Sequence, residues 1–144
     1  MKIDFWQLSH DPVEKVVALI AARVLGEGER VLVVSGKVQQ RETLARALWE
    51  AKAEAFLANG QADEPHAARQ PVLLSGTCAP ENGATHVIFA DGGWRDPAGF
   101  ARAFLLFDES TIEAARATWR GLSCGEAAER AFFRQDGGKW VKVA

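Results

Sequence analysis

The sequence predicts a single α/β domain over residues 1–144: a mainly parallel sheet, with room for one antiparallel pairing, sandwiched by helices and ending in a C-terminal hairpin. Three observations carry this. Short strand-like runs alternate with stretches of helical periodicity. Several of those runs are continuously apolar, as strands buried on both faces are. The chain ends on two β-rich segments, "AFFRQ" and "KWVKV", around Asp136-Gly137-Gly138, a hairpin signal.

The elements follow in order. Lys2–Leu8, "KIDFWQL", alternates and is rich in β-formers, so it reads as a first strand. Asp11-Pro12-Val13-Glu14 then opens a helix, with Asp11 as N-cap, Pro12 at the first helical position and Glu14 reaching back as in a capping box. Val13, Val16, Val17, Ile20 and Val24 give that helix one apolar stripe, and Gly26 terminates it. Arg30–Ser35 is a buried strand, followed by a helix from about Val38 to Ala51 with Leu44 and Leu48 on one face. The polar stretch Ala58–Gln70 reads as loop; Pro71–Ser75, Thr85–Asp91 and Ala103–Asp108 supply three more strands. Gly76–Ala84 is short for a helical crossover, which makes an antiparallel pairing plausible there. Ser110-Thr111-Ile112-Glu113 reads as a second capping box, for a helix that Gly121 or Gly125 weakens or stops. Glu126–Ala131 reads as either helix or strand.

The composition suits a folded domain, with 48% hydrophobic and 25% charged residues. A net charge of −2 gives no general grip on nucleic acid, although Thr111–Ala144 carries six cations against four anions, a local +2. Cys78 and Cys124 form no C-x-x-C pair, and His10, His66 and His86 share no ligand spacing with them, so no metal site is expected. There is no signal pattern, and the apolar run Val16–Leu25 is too short to span a bilayer. A cytoplasmic protein with free thiols is the simplest expectation.

"LVVSGK" (Leu32–Lys37) and "FLLFDE" (Phe104–Glu109) raise the possibility of a nucleotide-dependent enzyme using the Gly36-Lys37 turn and Asp108. A phosphate loop needs a glycine five residues before its Gly-Lys and a Ser or Thr after the Lys; Val31 and Val38 stand in those places. Asp108-Glu109 is equally well explained as a strand end running into the positive end of a helix dipole. There is no G-x-S-x-G, H-E-x-x-H or G-x-G-x-x-G, so no catalytic residue is assigned.

Two constellations suggest binding. Arg116, Trp119 and Arg120 are spaced three and four apart, so the predicted helix projects two cations and an indole from one side. That set suits an acidic chain ending in an aromatic residue, with Lys139 and Lys142 extending the positive rim; spacing alone favours the plainer reading, a half-buried core tryptophan flanked by solvated arginines. In "ALWEAKAEAFLANG", Trp49 and Phe56 are candidates for an exposed aromatic partner surface, or for a cover over the sheet and a plug at the end of the core.

The succession "DFWQLS", "RVLVVS", "ALWEAKAEAFL", "QPVLLS", "LLFDES", "ARATWR" and "DGGKWVKVA" resembles, over nearly the whole chain, the chi subunit family of bacterial DNA polymerase III holoenzyme. The order and spacing of all seven carry the resemblance. It implies a Rossmann-like fold without nucleotide or other cofactor, in a non-catalytic accessory subunit of a DNA-directed DNA polymerase. It further implies an adaptor that joins the C-terminal tail of single-stranded DNA-binding protein to the psi subunit of the clamp loader. By that resemblance Arg116, Trp119 and Arg120 match the site for the acidic, Phe-ending tail. Trp49 and Phe56 match the aromatic positions presented to psi and, in some members, to a helicase. The chain departs from the family in having Ala58-Asn59 where Pro-His is frequent, and in extra residues around Glu126–Arg130.

Overall fold

The computed structural model describes residues 2–9, 11–50, 59–123, 129–136 and 139–143. Among them the order of elements is β1 (Lys2–Gln7), α1 (Val13–Gly26), β2 (Val31–Val34), α2 (Val38–Glu50), β3 (Asn59–Gln61), a 3-10 turn (Ala67–Arg69), β4 (Val72–Ser75), β5 (His86–Phe89), β6 (Arg102–Phe107), α3 (Ile112–Ser123), β7 (Glu129–Asp136) and β8 (Lys139–Lys142). The strands form one sheet in the order β3-β4-β2-β5-β6-β1-β7-β8. Every pairing is parallel except β7 with β8, which is antiparallel. The expected mainly parallel α/β sandwich with a C-terminal hairpin is therefore what forms; Gly137 and Gly138 lie outside the described residues.

The alternation of β1 sets both layers. Asp4, Trp6 and Leu8 point to the side covered by α1 and α2, where Val16, Val17, Ile20, Val24, Leu44 and Leu48 complete an apolar layer. Ile3 and Phe5 point to the other side, covered by α3 and by loop residues Ala67, Ala84 and Phe100. Asp4 is fully buried and is held by Arg102, whose Nε and Nη2 both donate to its Oδ2. Removing either partner would strand a charge, the costly case for a buried pair. After α1 the chain turns at Gly28, whose φ of 80° suits glycine.

Local signals were overridden in four places. Asp11 does not cap α1. Its carboxylate instead accepts from Gln135 Nε2 at 2.7 Å and Lys15 Nζ at 3.3 Å, and Pro12 holds the N-cap position. The stretch expected to be loop contains β3 and the 3-10 turn; β3 is a short polar segment made a strand by pairing with β4. The connection after β4 makes no antiparallel pair. β4 and β5 flank β2, both parallel to it, because ten extended residues can pass strands only about 13 Å long without a helix. Asn82 Nδ2 pins that connection by donating to the carbonyls of Val31 (3.3 Å) and Gln70 (2.9 Å).

The fourth place is the start of α3. Asp108 Oδ1 accepts from the Ser110 N–H at 2.9 Å, and Thr111 Oγ1 accepts from the Asp108 N–H at 3.1 Å, so Asp108 and Thr111 close the turn just ahead of α3 in place of the capping box expected of Ser110 and Glu113. Glu113 turns along the helix to Arg116 instead. The helix runs through Gly121 to Ser123; Gly125 lies outside the described residues. Of the ambiguous stretch Glu126–Ala131, Glu129–Ala131 are strand and 126–128 are not described.

Candidate functional site

α3 turns Ile112, Ala115, Trp119 and Leu122 toward the sheet, leaving Glu113, Arg116 and Arg120 exposed. Trp119 is accordingly half-buried. Its ring meets Phe5 edge-on at 5.2 Å and Phe132 at 5.7 Å. A residue not singled out beforehand completes the arrangement: the Arg130 guanidinium lies 4.1 Å from the centre of the Trp119 ring and donates to the Trp119 carbonyl. The signal for it was the alternation Arg130-Ala131-Phe132, which puts Arg130 and Phe132 on one side of β7.

Arg116 Nη1 donates to Glu113 Oε1 at 3.1 Å, with side chains 53% and 80% exposed, a pairing weak enough for a ligand carboxylate to displace. Lys139 is exposed and stands opposite Asp136 in the hairpin. Strand alternation places Lys139 on the α3 side with Phe132 and Arg134, whereas Lys142 shares the side of Phe133 and Trp140. Lys139 and Arg130 thus share the α3 side of the sheet, and Lys142 lies on the other.

Trp49 is 60% exposed at the end of α2, one residue beyond the fully buried Leu48. Val38, 58% exposed, lies about 20° from it around the helix, with the charged Glu42 and Arg46 exposed between them. Phe56 lies outside the described residues. Because α2 and α3 cover opposite sides of the sheet, the Trp49 surface and the arginine surface face away from each other.

The Gly36-Lys37 turn and Asp108 do meet, in a crevice of about 120 Å³ at the carboxyl ends of β1, β2, β5 and β6. Beside it, the backbone N–H groups of Gly36 and Gly93 are already taken by a carboxylate of the protein itself. Asp91 Oδ2 accepts from the Gly36 N–H at 2.9 Å, Oδ1 accepts from the Gly93 N–H at 3.0 Å, and Arg95 clamps both oxygens at 2.6 and 2.8 Å. Burial alone would raise this carboxyl, but the hydrogen bonds from Arg95, Gly36 and Gly93 outweigh it and hold its pKa at about 2. Val31, where a phosphate loop needs its first glycine, is a fully buried β2 residue, and Val38 begins α2. Among the described residues no three His, Cys, Asp or Glu side chains gather to hold a metal ion, and no helix is long and apolar enough to cross a membrane. Cys78 is a free thiol that burial pushes up in pKa; Cys124 is not described.

Helices on both sides of a mainly parallel sheet, with an internal carboxylate lodged where related folds receive phosphate, define an α/β domain whose exposed features are aromatic and cationic surfaces. The family model described as DNA polymerase III chi subunit, HolC, matches residues 1–126. The chain belongs to that family, and so to the accessory subunits of DNA polymerase III that serve DNA replication. No curated protein matches it.

Proposed function

We infer that this protein is a non-catalytic adaptor of the replicative holoenzyme, linking the C-terminal tail of single-stranded DNA-binding protein to the clamp loader through psi. The observation that carries the reading is the α3 surface, where exposed Arg116 and Arg120 border the half-buried Trp119, itself covered by Arg130. One guanidinium stacked on the indole and two more exposed on the same helix as that indole offer bidentate donors to aspartate side chains and to a terminal carboxylate. Apolar surface beside them receives the terminal phenylalanine. Lys139 adds charge at the rim. Psi, or a helicase competing with it, docks on the exposed Trp49, with Phe56 the second aromatic that the family resemblance assigns to the same partner; Trp49 lies across the sheet from α3, which lets one small domain hold two partners at once. Nucleic acid itself is reached through the partner, since the net charge is −2. Titrating the tail peptide into the protein and its arginine variants tests the tail site, and pull-down of psi by Trp49 and Phe56 variants tests the other.

A further inference from the structure

We propose that the outer edge of β8 takes up an acidic peptide as a ninth strand, so that the acidic part of the tail binds through its backbone as well as its side chains. The inference rests on the tail-binding reading for the identity of its occupant. β8 is the last strand of the sheet, and among the described residues nothing pairs with its outer side. The ladder phase fixes which groups are open there. The Val143 N–H donates to the Phe132 carbonyl at 2.7 Å, and Phe133 stands opposite Lys142. Hydrogen-bonded pairs alternate in an antiparallel ladder, so Lys139, Val141 and Val143 direct their backbone groups toward β7, while Trp140 and Lys142 direct theirs outward.

The chemistry of the edge selects the occupant. Val141 and Val143 are 43% and 52% exposed, giving an incoming strand apolar neighbours on the α3 side. Among the described residues of β7, β8 and Val143 there are four cations, Arg130, Arg134, Lys139 and Lys142, against Glu129 and Asp136. Lysines on an edge strand discourage pairing with a second, equally basic copy and favour an acidic one. The edge also continues the α3 site: Trp119 packs on Phe132, Phe132 lies beside Val143, and one strand spacing of about 4.8 Å separates β8 from a strand added to it. A peptide of a few residues spans both. Backbone pairing supplies affinity without demanding a particular acidic sequence, which side-chain contacts alone would.

The test is amide hydrogen exchange with a synthetic eight-residue peptide of alternating aspartate and valine ending in phenylalanine. Bound peptide should slow exchange at the Trp140 and Lys142 amides about tenfold or more, leaving Val141 and Val143 as they are. Lys142→Pro removes an outward donor without touching the β7 ladder, and should weaken binding more than Lys142→Ala does. Binding that leaves the Trp140 and Lys142 amides unchanged overturns the edge proposal and leaves the tail reading standing. Slowed exchange with full affinity in Arg116→Ala and Arg120→Ala supports the edge and removes the tail site from α3. Protection that appears without peptide and grows with protein concentration identifies a second copy as the occupant, and overturns the acidic one.

Discussion

The Arg130 guanidinium stacks 4.1 Å from the Trp119 ring centre, joining β7 to α3 across eleven residues of sequence. A partly desolvated cation over an indole contributes about 1 kcal/mol. Arg130→Ala should therefore lower stability in urea by about that amount and shift Trp119 fluorescence to the red. Arg130→Lys should recover part of the stability but less of the tail affinity, because an ammonium lacks the planar fork.

Trp49 and Leu48 are neighbours with opposite fates, which separates partner binding from folding. Trp49→Ala should change stability by less than about 0.5 kcal/mol while weakening psi pull-down and sparing tail-peptide binding. Leu48→Ala opens a cavity under α2 and should cost about 2–5 kcal/mol. Denaturation midpoints for the two variants, beside the pull-down, read both effects.

Much of the fold was legible because its strands are apolar on both faces, as Val31–Val34 and Phe104–Phe107 are, and because α1 carries its stripe openly. β3 was hidden, since Asn59-Gly60-Gln61 has no strand propensity and owes its state to β4. Asp11 carries a cap signature, yet its carboxylate goes to Gln135, a partner 124 residues away that no local window contains. Arg116, Trp119 and Arg120 could be placed on one helix by spacing. Spacing could not show that Trp119 leans inward, or that Arg130 covers it, because both depend on the pairing of β7 with β1.

Asp91 is expected to shape the acid limb of stability. Its carboxyl titrates at about 2 in the fold against an ordinary 3.8. The lowered value means the charged form is favoured in the fold, so this contribution is complete above about pH 4 and is lost as pH falls toward 2. With solvent screening allowed for, it amounts to about 1 kcal/mol. Asp91→Asn should lose that amount at neutral pH and flatten the limb between pH 4 and 2, as denaturation across that range would record.

His86 acts at a higher pH. Burial holds its imidazole below the ordinary 6.5, with Arg102 pressing the same way and Glu27 and Glu29 opposing. The neutral ring is favoured in the fold, so its contribution is present above about pH 6.5 and fades as pH falls through the lowered value. Melting temperature should drop between pH 7 and 5. His86→Gln should reduce that dependence while leaving the Asp91 limb in place.

The central claim, an arginine and tryptophan receptor for an acidic, aromatic-ended tail on α3, is tested most directly by peptide titration into the wild type, Arg116→Ala and Arg120→Ala at low and high salt. Charge-assisted contacts contribute about 1.5–3 kcal/mol each, so either variant should weaken binding by about one to two orders of magnitude. Added salt should remove part of the affinity and leave the part carried by the buried terminal ring. Deleting the terminal phenylalanine should cost more than neutralising any one upstream acid. Unchanged affinity in both folded variants would contradict the account and place the tail elsewhere on the protein.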